Sequence, residues 1–295
     1  MTKLINLYCT ICQCNDSRFI EKLQHSSNNK SAQFTDLELI TAYLWGKENG
    51  LSTRKAIYDF TKRYLHEWFP TLPSYQAFCR RLNRLAGAFA ALAEIAMEKS
   101  LAKTFLEQEP ENCYIVDSCP VMVARGSRSN RSKTAGEICN LTRNATRNEW
   151  YHGIKLHAFV VYRPHAMPLP CAVHISPASV CDLWAAKQID LDCAPINCGK
   201  MYADRAYIDA SWADWLKKRR EIELITPRKK KKHDTLQSKD AYSTFVSSIR
   251  QPIECFFNWL NVKTGIQNAS HVRSLNGLLF HVFSCLAFAF LSLLF

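Results

Sequence analysis

Glycine is scarce in this chain, 9 of 295 residues. No glycine-rich phosphate-cradling loop occurs, so nucleotide hydrolysis has no support. The amino terminus, Met1-Thr-Lys-Leu-Ile-Asn6, is too polar for a signal peptide and lacks a cleavage site. No internal repeat is visible. The thirteen cysteines are an odd number, and without secretion a disulfide framework is a poor reading of them. Cys9, Cys12 and Cys14 cluster, but a structural zinc site needs a second ligand pair and only His25 lies nearby, so reduced cytoplasmic thiols are the better account. Acids are also short: 26 Asp and Glu against 38 Lys and Arg, a net charge of +12. That excess attracts a polyanion, either nucleic acid through phosphate neutralisation or an anionic lipid surface. A composition 47% hydrophobic and 22% charged is that of a globular chain with ample material for a core.

Hydrophobic periodicity divides the chain. Residues 1–110 read as helical. Thr35 and Glu38 form a capping box opening a helix over Asp36–Asn49, with Leu37, Ile40, Leu44 and Trp45 at helical spacing. Gly50 stops it, Ser52 is placed to cap the next helix, and Ser74 caps a longer one carrying Phe78, Leu82, Leu85 and Phe89. Arg80, Arg81 and Arg84 occupy another face of that helix, which suits phosphate contact. Short helices joined by tight turns are compatible with a helix-turn-helix reader.

From residue 111 the pattern changes to strands. Short strands are predicted at Cys113–Asp117 and Lys200–Ala203, a long one at Trp150–Tyr162 pairing with Ala172–Ile175, and another at Glu223–Ile225. Helices are predicted over Cys181–Ile189, Ala210–Arg219, Thr244–Val262 and Leu275–Phe295. This order makes the second region, 111–295, an α/β domain with a mixed sheet flanked by helices. Gly126–Asn148 and Pro227–Tyr242 read as irregular; the latter holds Arg228, Lys229, Lys230, Lys231 and Lys232, a run suited to phosphates. Leu275–Phe295 contains no charged residue and is long enough to span a bilayer, yet a buried closing helix on the sheet or on a second subunit is the preferred reading.

Three carboxylates stand out. Asp117 ends the apolar run Tyr114-Ile-Val116, Asp204 ends Met201-Tyr-Ala203, and Glu254 lies on a late helix whose Ile253, Phe257 and Leu260 form an anchoring stripe. Acids at the ends of buried strands make little sense for packing and good sense for holding divalent cations. Two Mg²⁺ (or Mn²⁺) ions with oxygen ligands can activate an attacking oxygen and stabilise a leaving one at a phosphodiester. Arg250 lies one helical turn before Glu254, where it reaches a phosphate or the carboxylate itself. His152 and His157 flank Lys155 on the long strand, which reads as a face turned to a polar cleft, with Lys155 as a DNA contact, or as an edge-strand surface. N-capping accounts for Asp182 and Asp209.

With these residues in view, the chain resembles bacterial insertion-sequence transposases of the DDE type, nearest the insertion-sequence 982 family. The resemblance runs nearly end to end. It is carried by Trp68-Phe-Pro-Thr-Leu-Pro-Ser-Tyr-Gln-Ala-Phe78, Arg80-Arg-Leu-Asn-Arg-Leu85, Ile115-Val-Asp-Ser118, Gly126-Ser-Arg-Ser129, Tyr151-His-Gly-Ile-Lys-Leu-His157, Ala203-Asp-Arg-Ala-Tyr-Ile-Asp209 and Arg250-Gln-Pro-Ile-Glu-Cys-Phe-Phe-Asn-Trp-Leu260. It implies an RNase H-like catalytic domain behind a helical DNA-binding domain, with Asp117, Asp204 and Glu254 as catalytic, metal-holding triad. It also implies double-stranded DNA as substrate, both element ends and target, and a homodimer or higher synaptic complex. Cys181 stands before Asp182 where a histidine is expected, and Ser247 and Asn261 occupy the places of an accessory tyrosine and lysine. A DNA-binding regulator without catalysis and a metal-dependent nuclease on the same fold are the competing readings; a tail-anchored membrane protein is a remote one.

Overall fold

The computed structural model describes residues 2–14, 16–23, 33–107, 112–144, 147–189, 196–228 and 241–294. Two compact units emerge, one of Met1–Ala96, Lys263–Ile266 and Val272–Phe295, the other of Met97–Val262 and Gln267–His271.

The first unit is built from helices: α1 (Thr2–Cys12), α2 (Ser17–Ile20), α3 (Asp36–Glu48), α4 (Arg54–Tyr64), α5 (Tyr75–Arg84), the start of α6 (Ala86–Glu107) and, numbered in chain order, α10 (Leu275–Leu291). The capping box forms as read, with the Thr35 side chain accepting from the Glu38 N–H and Glu38 accepting from the Thr35 N–H. Ser74 caps α5, but α4 is capped by Thr53 rather than Ser52. Apolar faces of α3 and α6 meet α10 in an edge-to-face aromatic cluster: Tyr43–Phe280 at 5.0 Å, Tyr43–Phe89 at 5.8 Å and Phe89–Phe280 at 5.4 Å. The Arg54 guanidinium lies 4.3 Å over the Phe280 ring. α10 is thus a buried helix packed on α3 and α5 within the first unit. No described helix is long and apolar enough to cross a membrane.

The second unit holds a six-stranded mixed sheet of β1 (Cys113–Arg125), β2 (Asn140–Asn144), β3 (Glu149–Val161), β4 (Leu169–Pro177), β5 (Gly199–Tyr202) and β6 (Ile222–Ile225). The order is β2-β3-β1-β5-β6, with β4 pairing β3. β3 runs antiparallel to β1, β2 and β4, while β1, β5 and β6 are mutually parallel. α7 (Asp182–Gln188) and α8 (Ala210–Arg220) connect the later strands, and α9 (Ala241–Thr264) follows. Gly153 lies where β3 passes the β1 irregularity at Met122/Ala124; an added Cβ there would stand 2.1 Å from the Val121 carbonyl oxygen.

Three elements differ from the sequence reading. β1 does not stop at Asp117 but continues to Arg125. Pro120 lies beyond the last pair with β5, Ile115–Tyr202, so its missing N–H is tolerated on an open strand edge. The polar stretch 126–148 contains a 3-10 turn, Gly126–Arg131, and the edge strand β2, whose solvated polar residues carry no alternation to betray it. β3 is a central strand, paired on both sides, so its histidines do not sit on an edge surface.

Candidate active site

β1 and β5 set the site. Their parallel pairing ends at Ile115–Tyr202, and Asp117 and Asp204 each stand two residues further on. Equal offsets from a register pair place both acids on the same side of the sheet, just beyond the point where the parallel pairing ends. Asp204 opens the 3-10 turn Arg205–Tyr207, and its Oδ1 accepts from the Ala206 N–H at 2.7 Å.

Asp117 is enclosed. Its Oδ1 accepts from the Ser118 N–H at 2.8 Å and its Oδ2 from Arg250 Nη2 at 2.9 Å. Burial pushes its carboxyl up to about 6; Arg250 and the Ser118 N–H oppose the rise, and Asp204 adds to it. A desolvated carboxylate facing another acid is short of positive charge. These oxygens fit a hard divalent cation, which would supply that charge.

α9 brings Arg250 to this edge because Ile253, Phe257 and Leu260 are buried along one stripe. Glu254, one turn on, is exposed. Among the described residues no three His, Cys, Asp or Glu side chains come close enough to hold one ion.

Asp182 is the residue that sequence reasoning missed. Cys181, not Asp182, is the N-cap of α7, and it makes no side-chain capping bond. Asp182 Oδ1 instead accepts from Ser118 Oγ and from Lys155 Nζ, both at 2.9 Å. Ser118 therefore bonds one acid through its backbone and the other through its hydroxyl. Lys155, read as a DNA contact, is held by Asp182 and by the Val180 carbonyl at 3.1 Å. His157 is fully buried, bonded through Nε2 to Ser176 Oγ at 2.8 Å, with Nδ1 4.0 Å from Asp182. Burial lowers it to about 4, the Asp182 charge opposes, and Lys155 and His174 add to the fall; a neutral core histidine results. His152 is buried too, against the Thr134 carbonyl at 3.0 Å. Asp209 caps α8 as read, accepting from the Trp212 N–H at 2.7 Å.

The basic residues separate into two groups. Arg80, Arg84 and Arg228 are exposed, Arg228 with its guanidinium 5.0 Å over the Tyr242 ring. Arg81 is turned inward, tying α5 to Asp36 at 2.5 Å and to the Phe34 carbonyl at 2.8 Å. Lys229, Lys230, Lys231 and Lys232 lie outside the described residues, as does His25. Cys9 and Cys12 are exposed, Cys14 is buried, and every described cysteine is a free thiol.

No curated protein and no solved structure matches the chain. A family model of the transposase DDE domain does, over residues 107–274. That segment spans more than half of the chain and contains β1, β5 and α9 with Asp117, Asp204, Arg250 and Glu254: the chain belongs to the DDE-domain transposase family.

Proposed function

We propose that this transposase is an insertion-sequence enzyme of the 982 type that cuts DNA at the ends of its element and joins them to target DNA. The observation that carries the reading is that Asp117 and Asp204 each stand two residues past the last β1–β5 pair, Ile115–Tyr202, with Arg250 bonded to Asp117. The strand order β4-β3-β1-β5-β6, three antiparallel strands followed by two parallel ones, supports an RNase H-like domain. Asp117, Asp204 and Glu254 would hold two Mg²⁺ or Mn²⁺ ions through their carboxylate oxygens. Ions bound there would activate an attacking oxygen and stabilise the leaving oxygen of a phosphodiester.

The chain's own residues do the positioning. Ser118 and Asp182 fix the strand that carries Asp117, and Arg250, one turn before Glu254, neutralises charge next to the acids. Water cuts the element's end, leaving a 3′-hydroxyl, and that hydroxyl attacks a target phosphodiester. Arg80 and Arg84 on the helical unit, and the run Arg228–Lys232, contact phosphates. Two ends must be held at once, so the working form is a homodimer or larger assembly, acting in the cytoplasm where bacterial DNA lies.

The test is a cleavage and joining assay on duplexes bearing the element's own ends, with Mg²⁺ or Mn²⁺, comparing wild type with Glu254→Gln. Metal-dependent cutting and joining, lost in the variant while DNA binding persists, supports the reading. Cutting without joining would make the protein a nuclease. The exposure of Glu254 favours one second reading, a DNA-binding regulator without catalysis. Binding of end DNA that no metal converts to nicking would establish it.

A further inference from the structure

The buried hydroxyl of Tyr207 has no role in the site as described. Tyr207 closes the 3-10 turn that Asp204 opens, and its side chain is fully buried, with its ring beside Trp212 at a centroid distance of 6.2 Å. Packing therefore fixes where the phenol oxygen sits. That oxygen has no hydrogen-bond partner among the described residues. A tyrosine so deeply placed ordinarily finds one, because a buried polar group left unpaired is costly.

The surroundings are unusual for an idle phenol. The charged groups that act on it are Asp117, Asp182, Asp204 and Arg250. Each acid is already engaged by another donor: Asp117 by Arg250 and the Ser118 N–H, Asp182 by Ser118 and Lys155, Asp204 by the Ala206 N–H. The Tyr207 hydroxyl bonds to none of these acids. The turn bearing Tyr207 packs on α7, which carries Asp182.

We infer that the Tyr207 hydroxyl is a further binding-site donor, left unpartnered by the fold for an oxygen acceptor that a ligand brings in. The inference rests on the function proposed above. Two sources offer that oxygen: water in the shell of a divalent cation held by the acids, or a phosphate oxygen of DNA.

Tyr207→Phe keeps the ring and removes only the hydroxyl. On the full chain, three quantities are measured for wild type and variant: melting temperature without ligand, affinity for Mn²⁺ alone, and affinity for a random-sequence duplex in EDTA. The expected result is an unchanged or higher melting temperature with about tenfold weaker binding, the size of one hydrogen bond to a charged or polarised group. Weakening in the Mn²⁺ measurement assigns the acceptor to the cation's water, and weakening in the duplex measurement assigns it to phosphate. Unchanged affinities overturn the inference. So does a lower melting temperature, which would show the hydroxyl already bonded in the resting fold. Wild type that binds neither Mn²⁺ nor DNA would instead overturn the proposed function itself, a result read without the variant.

Discussion

Arg250 on α9 donates from Nη2 to Asp117 Oδ2 at 2.9 Å, although the two residues are 133 positions apart in the chain. Both side chains are largely buried, 16% and 22% exposed. The guanidinium supplies one positive charge to a site that burial and Asp204 leave in deficit. A cation binding Asp117 through Oδ2 must share this oxygen with Arg250 or displace it.

The first prediction concerns pH. Asp117 is raised from 3.8 to about 6 in the fold, so the folded state holds the proton more tightly than the unfolded chain. Its contribution to stability is fully present below about pH 4 and is lost as pH rises through about 6. Relative to Asp117→Asn, wild type should lose about 2–3 kcal/mol of stability between pH 4 and 7, measured by urea unfolding at each pH. Mn²⁺ binding should weaken about tenfold per pH unit below 6, because the ion must displace the proton. A flat difference between the two proteins would show that Asp117 is solvated.

Asp182 and Lys155 form a second pair. Asp182→Asn leaves the Lys155 ammonium, 21% exposed, without its counter-charge. The expected cost is about 1–3 kcal/mol. Adding Lys155→Met should recover part of it, since removing both members of a largely buried pair costs less than orphaning one. Denaturant midpoints of the two single variants and the double variant decide this. Simple additivity would mean that the pair is not coupled.

Gly153→Ala places a methyl group against the backbone of β1, 2.1 Å from the Val121 oxygen. Backbone cannot rotate away as a side chain would, so the strands must part at the Met122/Ala124 irregularity. The expected destabilisation is about 3 kcal/mol or more, read as a lowered melting temperature. A variant as stable as wild type would mean that β1 and β3 do not approach so closely.

Replacing Arg228–Lys232 by alanine should weaken DNA binding and flatten its salt dependence. Every phosphate that the run no longer neutralises lowers the log–log slope by about 0.9. Binding measured across a salt series checks this, and an unchanged slope removes the run from the DNA-binding surface.

Much of this architecture was legible because it rests on local signals. The Thr35–Glu38 box, the Ser74 and Asp209 caps and the apolar stripe of α9 are each set by residues within a turn or two, and they appear as read. Asp117 and Asp204 could be paired on paper because each follows an apolar strand. What escaped depends on partners distant in sequence. A short acid at a helix start looks like a cap, and only the fold shows Asp182 turned to Ser118 and Lys155. His157 reads as polar until both neighbours of β3 bury it. α10 is apolar nearly all round, so its sequence names no partner; the structure supplies α3 and α5. The continuation of β1 past Pro120 was hidden because proline is tolerated only where a strand edge is open, and openness belongs to the sheet.

The most direct test of the central claim is to measure DNA binding and DNA strand cleavage in the same Mn²⁺ samples for wild type and Asp204→Asn. Asn keeps the size of the side chain and an oxygen for the Ala206 N–H, and removes the charge that would hold a cation beside Asp117. The predicted result is unchanged DNA affinity with cleavage reduced about a hundredfold or more. Equal cleavage by both proteins would contradict a reaction centre built on Asp117 and Asp204.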